Sequence, residues 1–305
     1  MSEITINKVI RILLFVVCMA AFAQFSLAQE IPSDYQQVLK IVGKQGDYKA
    51  NVLKVNIPRN DLKMKIADYS VPTPFGFGGW FAMEKGDGGQ DVVMGDLVLT
   101  QGEVNQVMSA LLDHGIEVTA LHNHFFWDEP RVFFMHIHGH GNAVDLANRL
   151  KPALDLIGLA KEGEESAAPK TPAKPATMLD TEKIAKIVGH AGEQSGPVYK
   201  ITLGRDDLSV KEMGATINAR MGLNTWAAFV GTNGDAAVAG DIAMLENEVN
   251  PVLKALRSNG LDVVAIHHHM INTQPMIIFL HYWGRGPVDK LATGFKAAVD
   301  QLGKK

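Results

Sequence analysis

The chain has 305 residues, a formal net charge of −4 and a single cysteine. Such mild acidity, with no clustered Lys and Arg, excludes a nucleic-acid binder that works through a basic face. One cysteine excludes a disulfide framework and a thiolate metal cluster.

Residues 1–28 read as an export signal peptide. Lys8 and Arg11 form a basic start, Ile12 to Phe22 is an apolar run too short to span a bilayer, and Ser26-Leu27-Ala28 fits a cleavage site. The competing reading is an uncleaved membrane anchor. Cys18 follows Val17, which is not the small residue that lipoprotein processing needs, so the thiol is expected to leave with the signal. Removing 1–28 takes away two positive charges and one negative, leaving −5. No later run of 18 apolar residues exists, so no transmembrane segment is expected in the mature chain. The expected location is exported, periplasmic or secreted.

The mature chain repeats itself. Arg59, Asp61, Leu62 and Trp80 recur as Arg205, Asp207, Leu208 and Trp226, an offset of 146. Gly95-Asp96 and Glu103-Val104-Asn105 recur as Gly240-Asp241 and Glu248-Val249-Asn250, an offset of 145. This defines repeat 1 as 29–160 and repeat 2 as 180–305. Between them, 161–179 opens with KEGEESAAPKTPAKPAT, which has no apolar periodicity and reads as a solvated linker.

Each repeat opens with a short helix, Ser33 to Val42 or Asp180 to Val188. In the first repeat strands are expected near Asn51 to Ile57, Lys63 to Tyr69, around Trp80 and over Asp91 to Leu99. A helix from Val104 to His114 stops at Gly115, a left-handed cap. In the second repeat Asn250 is expected as N-cap with Pro251 at the first helical position. Closing helices are expected over Asn142 to Leu159 and Val288 to Leu302. Strand runs with helices inserted between antiparallel pairs predict an α+β fold: two tandem homologous repeats, each a mostly antiparallel sheet with flanking helices. No G-x-G-x-x-G follows a strand and no P-loop occurs, so no nucleotide cofactor is expected.

Nine of the eleven histidines fall in two matching stretches, VTALHNHFFWDEPRVFFMHIHGHG at 118–141 and VVAIHHHMINTQPMIIFLHYWGRG at 263–286. Both alternate apolar and polar residues around a loop containing Pro130 or Pro275, as a β-hairpin does. If His122 lies opposite His136 and the loop centres near Glu129, then His122, His124, His136 and His138 share one face. Leu121, Phe125, Phe133, Met135 and Ile137 then face a core. The second hairpin groups His267, His269 and His281, with Trp283 in place of a fourth histidine and His268 pointing inward with Ile266. A slip of one residue would break the grouping.

The doubled pattern A-[LI]-H-x-H…P-x-x-x-[FL]-x-H-x-x-G-x-G, preceded by G-D-[LI] and E-V-N, resembles the LppY/LpqO family of exported bacterial proteins over essentially the whole mature chain. The resemblance implies an exported protein of uncharacterised function and assigns no catalytic residue.

Three imidazoles from adjacent strands can converge on one ion, with an open position for water. The candidate metal ligands are His122, His124, His136 and His138, with His140 as an extra, and His267, His269 and His281. Zinc suits them first and copper second, and a bound ion would make hydrolysis accessible. The competing readings are a hydrogen-bonded polar face and metal-free acid–base use. Glu103 and Glu248 are the candidate catalytic carboxylates, as ligand, orienting group or general base, set against a capping box. Asp96 and Asp241 read as turn or bulge residues, and Trp80 and Trp226 as core anchors. The expected function is an exported soluble metal-binding protein, with a metal-dependent hydrolase as its enzymatic form. The alternative is a metal-free module that recognises a small molecule, cell-envelope component or protein. No nucleic-acid partner is expected.

Overall fold

The computed structural model describes residues 29–159, 179–271 and 273–304. The signal peptide 1–28 and residues 161–178 of the linker lie outside the described residues. Leu179, assigned to the linker, instead packs into the second core.

The periodicities translate directly into elements. The first repeat comprises α1 (Ser33–Val42), β1 (Gly46–Lys49), β2 (Val52–Pro58), β3 (Met64–Ile66), β4 (Tyr69–Val71), β5 (Gly78–Lys85), β6 (Asp91–Thr100), α2 (Val104–Asp113), β7 (Glu117–His122), β8 (Asp128–Glu129), β9 (Val132–Gly141) and α3 (Ala143–Leu154). The second comprises α4 (Thr181–Val188), β10 (Glu193–Ser195), β11 (Val198–Gly204), β12 (Lys211–Glu212), β13 (Ala215–Thr216), β14 (Asn224–Gly231), β15 (Ala236–Met244), α5 (Val249–Ser258), β16 (Asp262–His267), β17 (Ile278–Gly286) and α6 (Val288–Val299). Helix α1 buries Tyr35, Val38 and Val42 on one stripe. It ends where Gly43, at φ 65°, turns left-handed and donates its N–H to the Leu39 carbonyl. Asn142 caps α3 by accepting from the Val144 and Asp145 amides.

Each repeat forms a six-stranded antiparallel sheet, in the order β1-β2-β5-β6-β9-β7 and β10-β11-β14-β15-β17-β16. Helix α2 carries the chain past the place that β9 will fill, so β7 becomes the edge and the returning histidine strand runs inside the sheet. One face of each sheet is covered by its own helices. There Leu53, Phe81, Val93 and Met135 pack with Leu111, Leu146 and Leu150, and each fully buried leucine contributes roughly 1.5–3 kcal/mol. The other faces meet each other. Phe77, Phe125 and Phe134 pack with Ala228, Ala237 and Trp283, while Val52, Ala82 and Met94 pack with Leu223, Ala243 and Phe279. The result is a helix–sheet–sheet–helix stack within one unit that begins at Ile31.

Several expectations change. The segment Lys63 to Tyr69 forms the small β3–β4 hairpin, which pairs with β8 away from the main sheet. Helix α5 starts at Val249, so Asn250 is not its cap. Pro251 still sits within the first turn, where its missing N–H costs nothing. Leu121 and Ile266 are exposed (41% and 51%), because β7 and β16 are edge strands with one neighbour each. Phe125 joins the inter-sheet cluster rather than the helix-side core, and His268 is exposed.

Candidate metal centre between the repeats

The histidine hairpins have a different register from the expected one. His122 lies opposite Phe134, and His136 lies opposite Ala120. The shift is two residues, so it keeps every histidine on the expected face. Beyond these pairs a bulge between Val118 and Ala120, repeated between Val263 and Ala265, shifts the register by one further residue and sets His138 opposite Glu117. The bulge residue Thr119 donates its hydroxyl to the His269 carbonyl at 2.7 Å, tying one repeat to the histidine loop of the other.

Six histidines converge where the two helix-free faces meet. His122 and His267 end their strands and face each other, with ring centroids 3.8 Å apart. His124 and His269 follow in the loops, lying flat on Phe134 and Phe279 at 3.3 and 3.4 Å. Each loop histidine meets a strand histidine of the other repeat: His124 is 3.6 Å from His281, and His136 is 3.9 Å from His269. The cluster is therefore composite, with three members from each repeat. Two groups bring their ligand atoms within 4.8 Å of one another, His122–His124–His281 and His122–His136–His267.

The strand histidines are held in one tautomer. His281 Nδ1 donates to the Gly240 carbonyl at 3.2 Å, and His136 bonds the matching carbonyl of Gly95. That directs the lone pair of Nε2 into the cluster. The repeated Gly-Asp pair is explained here. A Cβ on Gly95 would sit 2.7 Å from the Trp80 carbonyl oxygen, and one on Gly240 would sit 2.2 Å from that of Trp226. The next residue then points the opposite way, into the cluster. Asp96 pairs across the strands with Trp80 and His136, as Asp241 does with Trp226 and His281. Neither aspartate is a turn or bulge residue, which corrects the sequence reading. Both sit mid-strand in regular register because the strands need a small residue only at the preceding glycine.

The electrostatics of the cluster are unusual. In all six histidines Nε2 is buried without a hydrogen-bond partner. Asp241 Oδ2 stands 3.5 Å from His269 Nε2, too long for a good bond. Burial, reinforced for most of them by neighbouring imidazoles, pushes every one of the six toward the neutral form. His122 drops to about 4 and His267 to about 2. Burial raises the Asp96 carboxyl to about 7, and raises Asp241 well above the ordinary range, helped by Asp96.

A cavity of about 750 Å³ opens beside the cluster. His124, His269 and His281 line it. Asp96, Asp241, Trp80 and Trp226 also line it, so the two tryptophans are cavity walls as well as packing residues. Lys54 and Lys200 lie over the Trp80 and Trp226 rings at 4.2 and 4.0 Å. These lysines were missed in the sequence. The available signal was a lysine kept at the same place, offset 146, inside a period-2 strand of both copies.

Two groups of sequence candidates lie elsewhere. His138 points out of the cluster and bridges two carboxylates, Glu117 at 2.9 Å and Glu212 at 3.0 Å. His140 joins neither ligand group. Glu103 and Glu248 are not near the histidines. Glu103 binds the Arg59 guanidinium at 2.7 Å and accepts the Thr100 and Gly158 amides at 2.7 and 2.6 Å. Glu248 does the same with Arg205, Leu245 and Gly303, at 2.7, 2.7 and 2.6 Å. The bond at position 245 goes to the backbone, so it is indifferent to whether Thr or Leu stands there. This resolves why Glu248 persists without a capping threonine, and it makes both glutamates structural.

No described helix is long and apolar enough to cross a membrane. Among curated proteins no significant sequence match is found. Two solved structures show a remote likeness. A trimeric bacterial microcompartment shell protein, PduB, is 11% identical with a TM-score of 0.19, over 84% of this chain and 93% of that one. EtuB from Clostridium kluyveri is 9% identical with a TM-score of 0.20, over 84% and 90%. TM-scores this low carry no argument. The family model described as Domain of Unknown Function (DUF1259), labelled DUF1529, matches residues 36–156 and again 182–301, so the chain belongs to that family and carries its domain twice.

Proposed function

We propose that this is an exported metal-binding protein whose two repeats jointly hold a divalent transition metal, zinc first and copper second. The observation that carries the reading is the set of six buried, neutral imidazoles whose Nε2 atoms have no partner. An unsatisfied buried polar atom costs about 1–3 kcal/mol. Six of them together rival the entire net stability of an ordinary domain, about 5–15 kcal/mol. A hydrogen-bonded polar face would have supplied partners, whereas a metal ion takes up the lone pairs of its ligands without a proton. Neutral imidazoles without thiolates suit zinc and copper. The two ligand groups share His122, which favours one ion per chain.

The cavity supports a hydrolytic role. An ion held by His122, His124 and His281 has two of its ligands on the cavity wall, so an open coordination position there is accessible to water and substrate. Asp96 and Asp241, rather than Glu103 and Glu248, are placed to act as base or as orienting groups. Export is supported by the basic start and apolar run of residues 1–28, and N-terminal sequencing of the secreted chain, expected to begin at Gln29, tests it.

The decisive experiment is elemental analysis of untagged 29–305 beside its His122→Ala/His267→Ala variant. About one zinc or copper per wild-type chain, lost in the variant, is the expected result. No metal in either protein after reconstitution would overturn the reading and leave a metal-free binding module.

A further inference from the structure

We propose that the cavity beside the histidines binds a small dianion between the ammonium groups of Lys54 and Lys200, and that such a dianion is the substrate class of the metal site. The second half rests on the metal reading; the first does not.

The two lysines come from matching strands, β2 and β11, one from each sheet, and both line the one cavity. Each ammonium itself lies over a tryptophan ring, 4.2 and 4.0 Å from the centroid, which fixes its place on the cavity wall. Among the described residues neither ammonium closes an ion pair. Lys85, by contrast, bonds both Asp34 and Asp91. Burial first, and then the charges of Lys200 and Arg220, disfavour the charged form of Lys54, against the opposing pull of Asp47 and Asp96. Arg220 lines the same cavity and pairs with Asp47 at 3.0 Å, yet its Nε is buried without a partner. Asp96, Asp241 and Glu193 line the same cavity, but burial pushes the two aspartates toward their neutral forms, so the three cations there meet little fixed negative charge and an anion relieves their repulsion. Two cations related by the internal repeat suit a ligand with two negative charges, as a phosphate or dicarboxylate carries. Lysine binds such groups as a point charge, with no demand on bidentate geometry. The same cavity is bordered by His124, His269 and His281, so a dianion held there has one end against the proposed metal. Basic side chains and the proposed metal ligands thus line one cavity, a combination that suits a metal-dependent hydrolase of anionic substrates.

Calorimetric titration of 29–305 with inorganic phosphate, and separately with succinate, tests this in metal-free and zinc-loaded protein. Binding of at least one probe is expected, weakened about tenfold or more in Lys54→Gln/Lys200→Gln and unchanged in the surface control Lys151→Gln. Preference between the probes distinguishes a phosphate from a carboxylate ligand. The single variant Lys200→Gln, with thermal melts, separates lost binding from lost folding. No binding of either probe, or affinity unaltered in a folded lysine variant, overturns the proposal. The His122→Ala/His267→Ala variant keeps the two readings apart. Lysine-dependent anion binding in a protein that takes up no zinc would sink the metal centre but leave the pocket. Zinc uptake without anion binding would do the reverse.

Discussion

Two buried polar clusters recur in both repeats, and they are opposites. Around Arg59 and Arg205, each guanidinium reaches a glutamate, an aspartate and a backbone carbonyl. Around His122 and His267, the inward nitrogens reach nothing. Recurrence alone therefore does not separate architecture from chemistry. Completed hydrogen bonding does. The arginine clusters tie the turn after β2 or β11 to the start of the next long helix and to the end of the repeat, as the Gly158 and Gly303 bonds show. The histidine cluster ties nothing that its packing does not already hold, and it leaves its donor atoms available.

The largest effects should come from breaking the satisfied cluster. Glu103→Ala takes the buried glutamate from the Arg59 guanidinium and leaves it Asp61 and the Val98 carbonyl, in a residue only 2% exposed. Removing one partner of a buried pair costs about 3–5 kcal/mol, and Glu248→Ala should cost the same. Urea unfolding is expected to show that loss, with the metal content of the folded protein unchanged. His122→Ala/His267→Ala should behave in the opposite way, losing metal while metal-free stability stays within about 1 kcal/mol, the scale of a modest substitution. A glutamate variant that kept its stability but lost metal would erase the distinction.

Acid sharpens the same comparison. Each cluster histidine is held neutral in the folded state, below its unfolded value of about 6.5. Above pH 6.5 both states are neutral and the groups contribute nothing. Below it the unfolded chain gains protons that the folded chain refuses, so metal-free stability falls as pH falls. Each histidine adds about 1.4 kcal/mol per pH unit to the slope. Removing His122 and His267 should therefore flatten the slope between pH 6 and 5 by about 2.4 kcal/mol per unit, since the unfolded imidazoles are not yet fully protonated at pH 6. Asp61 and Asp207, held low by their arginines, favour the folded state above the ordinary aspartate range and lose that effect only below about pH 4. Chemical denaturation of metal-free protein across pH 7 to 3.5 should resolve the two windows. An equal slope in wild type and variant near pH 5.5 would show that the imidazoles are not held neutral.

The sequence made one face of each hairpin legible, because a period of two survives any even shift of register. It could not place His122 against Phe134, since a shift of two residues leaves the apolar alternation unchanged. Nor could it join the repeats. His124 meets His281 across 157 positions because two helix-free sheet faces must bury their apolar residues together. Periodicity within one strand contains nothing about that partner. The same limit misplaced Asp96 and Asp241, whose Gly-Asp sequence suggests a turn when the strand is taken alone. It becomes an inward-pointing carboxylate once the crowded Trp80 and Trp226 carbonyls are known. The helix stop at Gly115, left-handed at φ 69°, was legible because a few neighbouring residues settle it.

The smallest effect belongs to His138, which separates position from role within one strand. It lies two residues from His136 on the same face of β9, yet each of its ring nitrogens has a carboxylate oxygen within 3.0 Å: Nδ1 is hydrogen-bonded to Glu117, and Nε2, though it lacks an aligned hydrogen bond, is ion-paired with Glu212. Burial pulls its charged form down, but Glu212 and then Glu117 outweigh that and raise it above the ordinary value. A raised histidine contributes stability that is present below pH 6.5 and is lost as pH rises through its folded value, the reverse of the six cluster histidines. Glu117 belongs to the first repeat and Glu212 to the second, so the imidazolium acts as a clasp between them. Glu117 is largely open to water, which discounts its share. His138→Gln should thus lower stability by about 1 kcal/mol at pH 6 and by less at pH 8, while metal content stays at the wild-type value at both. Loss of metal in this variant would return His138 to the ligand set and weaken the rule that satisfied polar groups are architectural. Retention of metal with the reversed pH trend would confirm that hydrogen-bond partners, more than alternation along β9, separate a ligand from a clasp.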